Sequence, residues 1–145
     1  MLRVLIADDE SKVCQLIEKL VDWDVLGMEV VAVAENGIEA LEKIKEFHPD
    51  IVITDIRMPG YDGLDLIRLG KEEAPKAEFV IISGYRHFEY AQMAIRYGVN
   101  AYLLKPIRKD ELTETLKRLS AHFKEQTEQL SLEEKRQRAI RSDEK

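Results

Sequence analysis

Five short runs of strand-forming residues, spaced along a chain of 145, constrain its fold more than any other feature. They occupy positions 2–7, 30–34, 51–54, 79–82 and 101–104, and each is nearly continuously apolar rather than alternating. That is the pattern of strands buried on both faces, as in a parallel sheet. Between them lie segments whose apolar residues recur at helical spacing. Val13, Leu16, Ile17, Leu20 and Val21 form the first, with Cys14 beside the stripe; Ala40, Leu41 and Ile44 belong to the second. Leu64 and Ile67 open the third, Phe88, Ala91, Met93, Ala94 and Ile95 the fourth, and Leu112, Leu116 and Leu119 the last. Strict alternation of strand and helix predicts an all-parallel α/β sheet covered on both faces by right-handed crossovers.

Local signals punctuate these segments. Ser11 is placed to cap the first helix, and Asn36 with Glu39 three residues on resembles a capping box. Gly70 and Pro75 are expected to stop the third helix and Gly98 the fourth, while Pro59-Gly60 and Asp62-Gly63 are turn chemistry. The length fits one domain with a full core. A net charge of −6 and a pI near 5.2 argue against general affinity for nucleic acid or anionic membrane. The single cysteine, Cys14, excludes an internal disulfide and fits a reducing compartment. No apolar run approaches the ~18 residues of a spanning helix, and because the first strand follows Met1 directly no secretory leader is expected. A cytoplasmic protein without membrane partners is expected.

After Ala121 the composition turns to Glu, Gln, Lys and Arg. Phe123 and Leu130 continue the spacing of Leu112, Leu116 and Leu119, but Gln126 and Glu133 occupy the other seam positions, too polar and too short for a coiled coil. Ser131 and Glu134 form a possible second capping box, where a break would fall. The expected division is a domain over 1–121 and a charged helical linker or tail over 122–145.

Four of the five runs end on polar side chains: Asp8 and Asp9 after the first, Asp55 after the third, Ser83 after the fourth and Lys105 after the fifth. In a parallel sheet these ends share one edge, where ligands of open α/β sheets sit. A lone Asp55 is explained equally by loop capping; the acidic pair at the end of a second strand favours a site. Like charges about 4 Å apart repel by roughly 4 kcal/mol per pair at an effective dielectric near 20. Oxygen-only ligands with no clustered His or Cys indicate a hard cation, and Mg²⁺ fits a set of one or two carboxylates with water and phosphate. His48, His87 and His122 fall in unrelated segments and are read as surface residues.

These residues resemble the receiver domains of bacterial two-component response regulators, of the chemotaxis-regulator type, over about positions 2–121. The resemblance rests on Asp8-Asp9, on Asp55 with Met58-Pro59-Gly60 and Gly63, on Ser83-Gly84, on Tyr102 and on Lys105-Pro106. Singly each is common; in this order at strand ends they are specific. The resemblance implies the flavodoxin-like order 2-1-3-4-5. It implies that Asp55 accepts a phosphoryl group from a sensor histidine kinase. Asp9, Asp55 and the Arg57 backbone carbonyl would hold Mg²⁺, and Asp8 would act mainly through metal-bound water. Lys105, after a cis peptide bond to Pro106, and Ser83 would bind phosphoryl oxygens. Ser83 and Tyr102 would form the switch, although Tyr102 read alone is a half-buried strand aromatic. The protein would be a phosphoacceptor rather than an enzyme, at most slowly dephosphorylating itself.

Ser83 replaces the more frequent Thr, and Arg57 and Tyr85 are bulky where the resemblance places residues that influence the lifetime of the phosphorylated state. The segments 83–91 and 102–106 resemble the receiver subgroup joined to AraC-type helix-turn-helix domains, which implies a transcription output with DNA bound only by a domain absent from this chain. The alternatives are a stand-alone receiver acting through protein partners and a Mg²⁺-dependent aspartyl phosphatase of the haloacid-dehalogenase type. The phosphatase would want an Asp-x-Asp first strand, where Asp8-Asp9-Glu10 stand here. A flavodoxin would want a phosphate-welcoming first loop, which an acidic triplet is not. A homodimer is expected through the fourth helix, fifth strand and fifth helix of this pattern, where Gln92, Arg96, Tyr97 and Arg108 present a polar, partly basic face.

Overall fold

A computed structural model of the chain describes residues 1–84 and 88–143. Tyr85 and His87, and the side chains of Phe88, Leu130 and Ser131, lie outside the described residues. The strands are β1 (Leu2–Ala7), β2 (Met28–Ala34), β3 (Ile51–Thr54), β4 (Glu78–Ser83) and β5 (Ala101–Leu104). They form one sheet in the order β2-β1-β3-β4-β5, every pair parallel. The helices are α1 (Ser11–Leu20), α2 (Trp23–Leu26), α3 (Gly37–Phe47), α4 (Gly63–Glu73), α5 (Phe88–Arg96) and α6 (Lys109–Asp143). The all-parallel sheet is the one that the alternation of runs predicts, and its flavodoxin-like order is the one that the resemblance implies.

Side chains alternate along the strands and so build two cores. Val4, Ile6, Ile51, Ile53, Val80 and Ile82 face α1 and α6, meeting Cys14, Ile17, Leu112, Leu116 and Leu119. On the opposite face, Leu5, Val52, Phe79 and Ile81 meet Ala40 and Ile44 of α3, Leu66 and Ile67 of α4, and Ala94 of α5. Cys14 is simply packed, and burial pushes its thiol up to about 11, with the Asp8 charge adding to the effect.

Several local readings need correction. Ser11 is the first residue of α1, not its cap; Glu10 takes the cap position without a side-chain hydrogen bond. Leu16, counted in the apolar stripe, is exposed because it points away from the sheet. Gly70 does not stop α4. It is buried inside the helix, where an added Cβ would come within 2.9 Å of the Phe79 ring and 3.1 Å of Ile44, so close packing rather than termination explains it. The short helix α2 was not foreseen, and β2 begins two residues before position 30. The backbone stays helical through Ser131, so α6 has no break there. His122 is a surface residue, as read, but its Nδ1 also meets the Glu78 carboxylate, which is buried at the start of β4.

Other signals hold. Asn36 caps α3, its side chain accepting the Glu39 N–H at 2.7 Å. Gly98 closes α5 at a φ of 82°, donating its N–H to the Ile95 carbonyl at 3.0 Å. Asp62, read with Gly63 only as turn chemistry, forms with Asp65 a full capping box that starts α4. Among the described residues of α6, Phe123 is the last side chain packed on the core, and residues 124–129 are all exposed. Among the described residues, no helix is long and apolar enough to cross a membrane.

Candidate functional site

Parallel pairing brings the C-terminal ends of β1, β3, β4 and β5 to one edge, where the predicted Asp8, Asp9, Asp55 and Lys105 side chains converge. Ala7 pairs with Thr54, which sets Asp8 beside Asp55. Ladder-like bonds continue past the strand ends: Asp55 donates its N–H to the Ala7 carbonyl at 2.9 Å, and Asp8 to the Ala34 carbonyl at 3.0 Å. Lys105 follows β5 and donates its N–H to the Ser83 carbonyl at 2.8 Å. The peptide bond between Lys105 and Pro106 is cis.

The carboxylates of Asp8, Asp9 and Asp55 each place an oxygen within 4.8 Å of the others. Asp8 and Asp55 are buried, whereas Asp9 is exposed at the mouth. Asp55 accepts the Ile56 N–H on Oδ1 at 2.7 Å and the Lys105 Nζ on Oδ2 at 3.2 Å. Asp8 mirrors it, accepting the Glu10 N–H on Oδ1 at 2.9 Å and the same Lys105 Nζ on Oδ2 at 3.2 Å. Lys105 therefore bridges the two buried carboxylates.

Burial pushes the Asp8 carboxyl up from 3.8 to about 6; the Glu10 N–H opposes this, the Asp55 charge adds to it, and Lys105 opposes it in turn. Burial works to lower the Lys105 ammonium, but the Asp55 and Asp8 charges outweigh it and leave the amine raised above its ordinary value. One ammonium against three carboxylates leaves the cluster short of positive charge. The chemistry of this donor set, all oxygen and largely anionic, suits a hard divalent cation.

The chain around Asp55 is tightly constrained. The buried Thr54 hydroxyl donates to the Asp55 carbonyl at 2.9 Å, and Gly63 donates its N–H to the Ile56 carbonyl at 2.7 Å. A Cβ on Gly63 would stand 2.4 Å from the Asp55 carbonyl oxygen. Arg57 lines an open cleft of about 320 Å³ with Asp9, Met58, Pro59 and Asp62. Ser83 is fully buried, and Tyr102 packs, half-buried, against the core face shared with α5.

A family model described as the response regulator receiver domain matches residues 4–117. The chain belongs to the response regulator receiver domain family. This receiver is 41% identical over 126 residues to a transcriptional regulatory protein, YesN, of Bacillus subtilis (strain 168), covering 87% of this chain and 34% of that protein. It is 36% identical over 129 residues to the transcriptional regulatory protein HptR of Staphylococcus aureus (strain N315), covering 89% of this chain and 50% of the relative. Among solved structures, the REC domain of AraT, a response regulator from Geobacillus stearothermophilus, superposes with a TM-score of 0.83 at 40% identity, covering 87% of this chain and 98% of that one. A response regulator receiver domain protein from Clostridium thermocellum gives a TM-score of 0.76 at 30% identity, covering 86% and 98% of the two chains. The chain spans between a third and a half of the length of these curated relatives. Receiver domains are phosphoacceptor signalling domains rather than classical enzymes.

Three features of this receiver site escaped the sequence. The Glu10 and Ile56 N–H groups that orient the two buried carboxylates come from backbone, which no side-chain motif encodes. The third is Tyr90 of α5, whose hydroxyl accepts from Arg57 Nη2 at 2.8 Å and Nε at 3.2 Å, with the guanidinium 5.6 Å from the ring centre. Arg57 and Tyr90 are 33 positions apart, and nothing in the spacing pairs them.

Proposed function

We propose that this receiver is a phosphorylation-activated switch in which Asp55 accepts a phosphoryl group from a phosphohistidine of a sensor histidine kinase. The observation that carries this reading is Lys105 Nζ, 3.2 Å from both Asp55 and Asp8, inside a cluster of three carboxylates. An Asp55 oxygen attacks phosphorus, the P–N bond to the donor imidazole breaks, and its electron pair returns to the ring nitrogen, which takes up a proton. The Ile56 N–H holds the carboxylate, and Lys105 moves from bridging carboxylates to pairing with a phosphoryl oxygen. Catalysis of this kind is positioning and charge neutralisation. Asp9, Asp55 and the Arg57 backbone carbonyl would hold Mg²⁺, with Asp8 acting mainly through its water. When bound, the ion would offset the negative charge that gathers on the transferring oxygens.

Ser83 would hydrogen-bond a further phosphoryl oxygen, and Tyr102 would turn inward behind it. The output surface would be α5, β5 and the first turns of α6, as a homodimer interface. Gln92, Arg96 and Arg108 are exposed there, and so are the apolar Ile95 and Leu104, at 70% and 39% exposure. The names and lengths of the relatives support a transcription output, with DNA contacted by a further domain of the AraC-type helix-turn-helix class. Residues up to about 121 would be the receiver and the exposed part of α6 the linker, the whole working in the cytoplasm.

The test is incubation with a small acyl phosphate donor and Mg²⁺, read by intact mass. The wild-type protein gains one phosphoryl group, Asp55→Asn gains none, and Asp9→Ala loses both phosphorylation and Mg²⁺ affinity while remaining folded. A full mass gain in Asp55→Asn would remove that residue as acceptor.

A further inference from the structure

The Arg57 guanidinium sits at the rim of the acidic cleft, two residues beyond Asp55, yet two of its N–H groups are directed at a phenol on another helix. The Tyr90 ring packs against the core face that also holds Met93, Tyr97 and Tyr102. One exposed hydrogen-bonded contact therefore joins the loop after β3 to the helix proposed to change on activation.

A neutral phenol is a modest acceptor for a guanidinium. A phosphoryl group is a dianion whose oxygens match the guanidinium fork, and such charge-assisted bonds are roughly twice as strong as neutral ones. With about 1.5–2 negative charges added at Asp55, the phosphoryl group competes with Tyr90 for Arg57. A ligand shifts a two-state element only by its differential affinity for the states, and here the difference is chemical and local.

We propose that Arg57 and Tyr90 form a latch. In the unphosphorylated protein the guanidinium holds α5 to the β3–α4 loop through Tyr90. A phosphoryl group on Asp55 draws Arg57 away and frees that end of α5. The latch rests on the reading of Asp55 as acceptor. It acts on the same patch as Tyr102, so release of Tyr90 and inward rotation of Tyr102 reinforce each other. Arg57 is thus a positioning residue that also restrains activation, since every phosphorylation must first compete with Tyr90.

Titration of the full chain with beryllium fluoride and Mg²⁺ tests this, with the Arg57 Nε–H resonance followed by NMR. In wild type that resonance moves on addition of the mimic. Tyr90→Phe keeps the ring but removes the acceptor, so its resonance starts displaced. Its half-saturating mimic concentration falls by about three- to fivefold, the scale of an exposed hydrogen bond to a charged group. In an Arg57→Met background, Tyr90→Phe has no further effect; in Arg57→Lys, part of the difference returns. A contact that only braced the fold would alter stability without shifting the midpoint. If wild type binds the mimic and Tyr90→Phe retains the wild-type midpoint, the latch is wrong, whatever the resonance does. If wild type binds no mimic, the acceptor reading itself fails and the latch with it.

Discussion

Asp8 is the residue at which the cost of assembling this site is most visible. Its carboxyl is raised from 3.8 to about 6, first by burial, against the Glu10 N–H, and then by the charge of Asp55, against Lys105. The folded protein thus binds this proton more tightly than the unfolded chain, so between those two values the contribution of Asp8 to stability declines as pH rises. Above about 6 a charged, buried Asp8 is a standing penalty that a cation relieves. Asp8→Asn is therefore expected to be more stable than wild type at pH 7 without Mg²⁺, by about 2–3 kcal/mol, since the raised value is already net of the Lys105 pair. The advantage should vanish near pH 4 and shrink when Mg²⁺ is added to wild type. Urea denaturation of both proteins at the two pH values checks it. A variant less stable than wild type at pH 7 would mean that the Lys105 bridge outweighs the burial.

Among the elements, α4 does most to define the loop that carries Asp55 and Arg57. Its capping box, Asp62 with Asp65, fixes where the helix begins, and Gly63 then passes directly under the Asp55 peptide. The close approach is to backbone: a Cβ would lie 2.4 Å from the Asp55 carbonyl oxygen and 2.8 Å from the Ile56 Cα. Neither can swing aside as a flexible side chain would. Gly63→Ala should therefore cost about 2–3 kcal/mol, the upper part of the range for overpacking, and weaken Mg²⁺ binding because relief of the clash displaces Asp55. Thermal denaturation and a metal titration measure the two effects, and a variant with wild-type stability and metal affinity would contradict this account of the loop.

At the scale of the whole molecule, α6 does two jobs along one continuous helix. Its first half packs on the sheet through Leu112, Leu116 and Leu119, and beyond Phe123 the described side chains are exposed. A rigid helix that begins beside β5 and leaves the core is suited to carry a change at the α5–β5 face to a second copy or a further domain. Beryllium fluoride with Mg²⁺ should tighten self-association through that face. Sedimentation at several concentrations, with and without the mimic, reads it, and Arg96→Glu should weaken the association. A mass that stays monomeric throughout would leave a different protein as the partner of this face.

The sequence by itself determined the fold class, because doubly buried strands must be apolar along their length and parallel strands need helical crossovers. It also pointed to the edge where the site lies, since a parallel sheet puts every strand end on one edge, and Asp8, Asp9, Asp55 and Lys105 do meet there. Backbone signals confined to a few neighbouring residues, such as Asn36 with Glu39 and Gly98, were legible for the same reason. Gly70 was misread because a glycine at a helix end and one under a Phe79 ring look alike until the neighbouring strand is in place. The bridging of Asp8 and Asp55 by Lys105, the His122 contact with buried Glu78, and the Arg57–Tyr90 contact depended on tertiary structure. Each joins residues distant in the chain, and a side chain's partner there is set by how elements pack, which short-range periodicity does not encode.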